Sequence, residues 1–314
     1  MKQAYYEGIG GLINISHSEI SKQLNQQKLF GIDSIQTKLF NFCKVVLEDN
    51  NDLIKQFEFY NMKPSVLLYG LPNTGKTTLC YIIFNQLKEQ VTNEINFYKI
   101  DIGGMLDPAL GQSSRNLKLA FDELKEVTQG GSSVFLVIDE LDAFSISRNR
   151  TQENDGVRRA MTTFMIELDQ LSITSTSNKF LLFGTTNVSN LMDTAVVRRF
   201  SLKFSLDISM MYDDFKNYIN YLNSSIKLNM KDIDIERLYD LYKKNEYTLG
   251  DLKLIYQNLL VEIINIYKLT KDIGMFQKSN YTKEEYNNIM NILLSLFNTG
   301  FSSKKHLLNT VKEF

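Results

Sequence analysis

From Ser65 to Thr78 the chain reads Ser-Val-Leu-Leu-Tyr-Gly-Leu-Pro-Asn-Thr-Gly-Lys-Thr-Thr, a short apolar run followed by Gly-x-x-x-x-Gly-Lys-Thr and then a helical pattern. That order matches the Walker A pattern, in which a loop between a strand and a helix wraps phosphate groups. The residue types follow from the chemistry. Backbone N–H groups turn inward around an anion only where side chains do not obstruct them, which is the part of Gly70 and Gly75, with Pro72, Asn73 and Thr74 between them. Lys76 brings a cation to the β- and γ-phosphates, and the Thr77 hydroxyl is a ligand for Mg²⁺. Thr78 continues into a helix whose positive end faces the anion. The expected cofactors are therefore ATP and Mg²⁺.

A second chemical group closes the run Val134-Phe135-Leu136-Val137-Ile138-Asp139-Glu140. Apolar residues deliver two carboxylates to one strand end, where burial is unfavourable unless a cation or ligand is near. Asp139 is expected to hold Mg²⁺, directly or through water. Glu140 is expected to act as the base toward a water molecule, or to orient it. Arg148, Arg150, Arg158, Arg159, Arg198 and Arg199 gather in one part of a chain that otherwise prefers lysine. Such clustering suggests a demand for the planar guanidinium fork, which matches phosphate and carboxylate oxygens better than an ammonium does. The first four are read as a solvated or subunit-bridging face.

These groups need elements that bring strand ends together. Val66–Tyr69, Ile95–Ile100, Val134–Ile138, Phe180–Phe183 and Leu202–Leu206 are apolar with little polar alternation, as in parallel strands covered on both faces. Helical periodicity lies between them: Val157, Met161, Phe164, Leu168 and Leu171 keep one face apolar. Strand alternating with helix predicts an α/β fold with a doubly wound, parallel, five-stranded sheet. After Leu206 only helical periodicity remains, for instance Leu252, Ile255, Leu259, Ile263 and Ile266, which predicts a small all-helical domain. The expected division is 1–28 as an N-terminal segment, 29–206 as the nucleotide-binding domain and 207–314 as the helical domain. With Pro64, Pro72 and Pro108 the only prolines, a Pro-rich linker is excluded.

Composition narrows the setting. An apolar fraction of 43% against 23% charged residues allows a packed core and excludes disorder as the main state. A formal net charge of -1 provides no overall field to steer nucleic acid or an anionic membrane. Cys43 and Cys80 cannot build a disulfide framework or a Cys-rich zinc site, which suits a reducing compartment. There is no signal-like N-terminus and no apolar run of membrane-spanning length, so a soluble, cytoplasmic protein is expected. His17 and His306 stand alone, which favours surface or capping roles over metal binding. Cys80 is expected in the core, as are Tyr239, Tyr242, Tyr256 and Phe297 in the helical domain.

Taken in order, the Gly-Lys-Thr loop, the strand ending Asp-Glu-Leu-Asp-Ala, a further strand ending Gly184-Thr185-Thr186-Asn187, and Asp193 through Phe200 resemble the AAA ATPases, within the wider AAA+ class. The resemblance runs from about Phe30 to the lid around Leu260. It implies that Asn187 helps position the attacking water. It also implies that Arg198 and Arg199 reach into a neighbouring subunit's nucleotide site as fingers, so the expected catalytic set is Glu140, Asn187, Arg198 and Arg199. Phe30-Gly31-Ile32 resembles the family's adenine-flanking turn. Tyr247 through Leu252 resembles its lid turn, in which Gly250 lets the lid approach the nucleotide. Arg237 is the only arginine after Arg199, so the lid arginine of nucleic-acid loaders is not evident and the protein-remodelling branch is favoured.

The resemblance thus predicts a Mg²⁺-dependent ATP hydrolase that assembles into a homo-oligomeric, hexameric ring and remodels a protein partner. Nucleic acid and membrane are not expected partners. A rival reading is a nucleotide-gated scaffold with slow hydrolysis that regulates a protease or defence partner, as compact bacterial or phage members do. A third, a nucleic-acid loader, is disfavoured by the balanced charge. Ile102 through Asn116 aligns with the family's first pore loop but departs from it: Ala109 and Leu110 precede Gly111, where many unfoldases place an aromatic. Small apolar groups bury less area on a threaded peptide, with Met105 and Leu106 expected to add contact. The segment ahead of residue 29 is too short for a folded recognition domain, so specificity is expected from a separate partner.

Overall fold

The computed structural model describes residues 6–7, 11–25, 27–48, 51–105, 112–146, 154–170, 179–187, 192–267 and 281–306. These fall into two units. The first carries a sheet of strands β1 (Tyr6–Glu7), β2 (Leu12–Ile15), β3 (Ser65–Tyr69), β4 (Ile95–Asp101), β5 (Ser133–Asp139), β6 (Phe180–Thr186) and β7 (Leu202–Ser205), in the spatial order β1-β2-β4-β5-β6-β3-β7. Its helices are α1 (His17–Leu24), α2 (Asp33–Leu47), α3 (Asn51–Phe59), α4 (Lys76–Gln90), α5 (Ile102–Met105), α6 (Gln112–Gln129), α7 (Ala143–Ile146), α8 (Asn154–Gln170) and α9 (Thr194–Arg199). The second holds Phe30–Ile32, Leu71–Gly75 and the residues from Asp207 on, with helices α10 (Tyr212–Ser224), α11 (Asp232–Asn245), α12 (Leu249–Tyr267) and α13 (Lys283–Thr299).

The five apolar runs form β4, β5, β6, β3 and β7, and all of the pairings among these five are parallel. Side-chain alternation explains why these strands read as continuously apolar: both faces are covered. On one face Phe84 of α4 meets Phe97 and Phe135, and the rings continue from Phe135 to Phe183 at 4.7 Å. On the other, Val134, Leu136 and Ile138 join a cluster with Phe121 of α6 and Phe164 of α8. Each fully buried ring of this kind stabilises the fold by about 1.5–3 kcal/mol.

The sheet is larger than the five parallel strands expected. Leu12–Ile15 pairs antiparallel with β4, and Tyr6–Glu7 pairs antiparallel with β2. Leu12 and Ile15 are buried, and α1 packs on α4, so residues 12–24 complete the edge of the first unit. Four residues of Leu-Ile-Asn-Ile carry too little periodicity to announce a strand. A Ser16-Glu19 capping box starts α1 immediately afterwards.

Parallel strands end at one edge of a sheet, which is why the chemically distinctive residues converge. Asp101 and Asp139 are register partners at the ends of β4 and β5, and Tyr69 and Thr186 are partners at the ends of β3 and β6. The second unit is built on a core that includes Phe215, Tyr218, Leu238, Tyr242, Leu252, Tyr256, Leu259, Ile263 and Phe297. Tyr242, Tyr256 and Phe297 lie in this core as expected, while Tyr239 is half-buried and packs against it. Among the described residues no helix is long and apolar enough to cross a membrane.

Candidate nucleotide-binding site

The turn between β3 and α4 has the backbone that a phosphate cradle requires. Gly70 lies at φ 143, Asn73 at φ 61 and Gly75 at φ 92, a left-handed series that glycine tolerates and asparagine accepts better than most residues. Thr74 is buried and its hydroxyl donates to Leu71 O at 2.9 Å, while Pro72 and Asn73 are exposed. The Leu71 N–H donates to the Asp207 carboxylate, a tether that sequence reading missed. Lys76, buried at the start of α4, donates from Nζ to Gly70 O at 2.8 Å. Thr78 turns its hydroxyl to Gln27 Oε1 at 2.8 Å.

Asp139 draws several elements together. The Thr77 hydroxyl stands 3.3 Å from Oδ2, the Thr185 hydroxyl donates to Oδ1, and Lys99 Nζ lies 2.8 Å from Oδ2. Burial alone would raise the Asp139 carboxyl, but hydrogen bonds from Lys99 and Thr185, with the Lys99 charge, outweigh it and hold the group below the ordinary aspartate range. For Lys99 burial pulls the ammonium down, and the bond to Asp139 reverses the sign and raises it. Lys99 and Thr185 were not singled out in the sequence. The hydroxyl and carboxylate are hard oxygen donors of the type that Mg²⁺ prefers. Among the described residues no three His, Cys, Asp or Glu side chains are grouped to hold a metal by themselves.

Glu140 follows with φ 56, left-handed backbone in a non-glycine residue, and an exposed side chain. Its N–H faces the Thr185 hydroxyl at 3.4 Å, and Leu141 N–H donates to Thr185 O at 2.9 Å, pinning this corner to β6. Burial, then the carboxylates of Asp101, Asp139 and Asp142, raise the Glu140 carboxyl above the usual glutamate range. Asp142, another residue the sequence reading passed over, is buried and accepts from the Thr186 hydroxyl at 2.9 Å and from Asn187 N–H at 3.1 Å. It fixes the backbone of Asn187 at the end of β6.

Arg198 and Arg199 close α9, and their surroundings differ. Arg198 is exposed, and its side chain makes no hydrogen bond or ion pair among the described residues. Arg199 is half-buried and bonded to Asp169, Ala195 O and Met165 Sδ. Arg158 and Arg159 are exposed on α8, whereas Arg148 and Arg150 lie outside the described residues.

In the second unit, Gly31 has φ 73, and a Cβ there would meet Met210 Cγ at 3.4 Å; Ile32 beside it is buried. Thr248 and Asp251 exchange reciprocal side-chain to backbone bonds, a capping-box arrangement at the start of α12. Gly250 inside it abuts the phosphate-loop residue Asn73, which explains the glycine by close approach. Met105 corrects the pore-loop expectation: the turn of α5 buries it in the core with Leu12 and Ile100, where it cannot touch a threaded peptide. Leu106, Ala109, Leu110 and Gly111 lie outside the described residues. Cys80 and Cys43 are buried, as expected for the former. His17 is part-buried, hydrogen-bonded to Asn85 and edge-on to Phe84, a packing role.

Residues 66–208 match the model of the ATPase family associated with various cellular activities, AAA. A ring-forming AAA ATPase of Corynebacterium glutamicum is 27% identical over 180 residues, 55% of this chain and 34% of that protein. This stretch of the chain resembles the AAA family. A proteasome-associated ATPase of Nocardioides is 24% identical over 232 residues, 64% of this chain and 39% of that protein. The chain thus spans little more than a third of the curated relatives it matches. Among solved structures, a chain of the E. coli MS115-1 HORMA:CdnC:Trip13 complex superposes with a TM-score of 0.71 at 19% identity, covering 96% of this chain and 98% of that one. The Rhizobiales Trip13 superposes at 0.60 and 14% identity, with 92% and 98% covered. At such identities the likeness establishes the AAA fold.

Proposed function

We propose that this chain is an AAA-type ATP hydrolase that works as a ring and acts on a protein partner. One observation carries the reading: a left-handed glycine turn leads into Lys76 and Thr77, and the Thr77 hydroxyl stands 3.3 Å from Asp139, the acid that ends β5. Turn, cation, hydroxyl and carboxylate are what triphosphate binding needs. Gly70 through Gly75 offer backbone N–H groups, and Lys76 neutralises phosphate charge. Thr77 and Asp139 would hold Mg²⁺, which supplies charge neutralisation of the phosphate oxygens when bound.

Chemistry on the protein side is mostly positioning. Glu140, with its raised carboxyl, takes a proton from water; Asn187, set by Asp142, orients it. Arg198 completes the site of a neighbouring subunit, with Arg199 behind it. Gly31 and Ile32 flank the adenine base, and Gly250 lets the lid turn approach Asn73. The ring is supported by the relatives described as forming ring-shaped complexes, and a head-to-tail contact closes only when its rotation permits. A protein partner is supported by the proteasome-associated relative and by the HORMA and CdnC proteins found with Trip13.

The test is MgATP binding and phosphate release by the purified chain, with Lys76→Ala beside it. Binding at micromolar to millimolar MgATP that Lys76→Ala abolishes, with turnover rising with protein concentration, is the expected result. A folded chain that binds no MgATP at millimolar concentration would falsify the reading. A Glu140→Gln chain loaded with ATP then retains its partner for identification, and its sedimentation gives the ring size.

A further inference from the structure

We propose that Lys99 is a tethered counter-ion that competes with a free divalent cation for Asp139. The inference rests on reading Asp139 as a cation ligand and adds a residue that this reading does not use. Lys99 lies on β4 opposite Val137, two residues short of the position opposite Asp139. Its four-carbon stem runs along the strand and sets the ammonium 2.8 Å from Asp139 Oδ2, with both side chains mostly withdrawn from water, 25% and 19% exposed.

Both oxygens of the carboxylate are therefore engaged, Oδ1 by the Thr185 hydroxyl and Oδ2 by Lys99, with the Thr77 hydroxyl 3.3 Å from Oδ2. An ammonium has donors and no lone pair, so it can replace a metal ion at Oδ2 but cannot join its shell. A divalent ion that takes Asp139 alone meets a fixed positive charge at contact distance, where screening by salt is weakest. Triphosphate would change the balance, because its oxygens would give the metal further ligands beside Asp139. Competition is thus strongest for metal without nucleotide. A lysine that merely neutralised a half-buried acid would affect folding stability alone, and the two roles separate in one measurement.

That measurement is Mn²⁺ binding to the folded full chain without nucleotide, followed by the paramagnetic resonance of free Mn²⁺. Lys99→Met and Lys99→Gln are expected to bind Mn²⁺ about tenfold more tightly than the unaltered chain, the effect of lifting one like charge from a cation site. Adding Asp139→Asn should abolish the gain, and Lys99→Arg, which keeps the charge, should leave the affinity at its starting value. Melting curves identify which variants are folded, and the Gln variant keeps a polar group should Met fail. Equal Mn²⁺ affinity with and without the lysine charge overturns the proposal, as does a gain that survives Asp139→Asn. MgATP binding measured in parallel keeps the two readings apart: its absence sinks the ATPase proposal, while equal Mn²⁺ affinities in a chain that binds MgATP sink the competition alone.

Discussion

Arg199 donates from Nε to Asp169 Oδ2 at 3.0 Å, and the other oxygen of the same carboxylate accepts from Lys63 Nζ at 2.8 Å. Further bonds to Ala195 O at 2.9 Å and Met165 Sδ at 3.4 Å hold the Arg199 guanidinium to its own subunit. Arg198, one residue earlier, is exposed. Two adjacent arginines that look equivalent in sequence are therefore expected to behave differently. Arg198→Ala should lower phosphate release by about a thousandfold, the scale of a lost finger, with an unchanged Tm. Arg199→Ala should lower the Tm, with a stability loss of about 1 kcal/mol or less for so exposed a pair, and reduce turnover less. Mixing Arg198→Ala with Lys76→Ala should restore activity, since each subunit supplies what the other lacks. No recovery on mixing would place Arg198 outside the neighbouring site.

Glu140 leads to a pH prediction. Burial is the first cause of its raised carboxyl, followed by Asp101, Asp139 and Asp142, with Lys99 opposing. A general base works ionised, so activity is lost as pH falls through the raised value, and the acid limb of kcat lies above that of an ordinary glutamate. Removing one like charge should move that limb to lower pH. Asp101→Asn does so without altering Asp139 itself, and kcat measured from about pH 4 to 8 reads the shift. A limb that stays in place or moves upward rules out Asp101 as a cause. Glu140→Gln should retain MgATP binding while abolishing most turnover at every pH.

Local signals were legible in the sequence and register was not. Val66–Leu68 and Val134–Ile138 announced buried parallel strands because both faces are covered, and the Gly70–Thr77 turn announced itself because its geometry is confined to consecutive residues. Lys99 and Thr185 reach Asp139 from neighbouring strands and Asp207 reaches Leu71 from beyond β7, and no spacing along the chain reveals which residues lie opposite one another across a sheet. Asp142 sits three residues from Asp139, yet its task appears only when β6 brings Thr186 and Asn187 beside it. Met105 was misread because a loop alignment ignores which way one turn of helix points a side chain.

Gly184 shows how tightly the strand behind the site is packed. A Cβ at this position on β6 would stand 2.5 Å from Leu141 Cδ1 and 2.7 Å from Phe200 Cζ, closer than real Cβ contacts come. Leu141 and Phe200 are both buried, so neither moves without opening the core. Gly184→Ala is expected to destabilise the chain by about 1–3 kcal/mol through overpacking, visible as a lower urea midpoint. Gly156→Ala on α8, where a Cβ meets nothing within 4 Å, should instead stabilise by about 0.5–1 kcal/mol. Equal midpoints for the two variants would contradict the packing argument.

Gly250 tests the lid turn by contact and not by backbone conformation. A Cβ there would fall 2.2 Å from Asn73 Cβ and 2.9 Å from Asn73 O. The second contact is backbone, so relief by a side-chain rotation is closed off and either the phosphate loop or the first turn of α12 must shift. Asn73 is already held at φ 61, and Leu71 two residues earlier is tethered to Asp207, which leaves the loop little freedom to yield. Gly250→Ala should therefore weaken MgATP binding by about tenfold, a displacement penalty near 1.4 kcal/mol, while Gly156→Ala leaves it unchanged. The reading predicts further that Asn73→Gly, which removes one of the two clashing groups, recovers part of the affinity in the Gly250→Ala background. Titration of a fluorescent ATP analogue measures all four chains. An unchanged Kd in Gly250→Ala would mean that this close approach has no bearing on the nucleotide, and the glycine would then matter only to the start of α12.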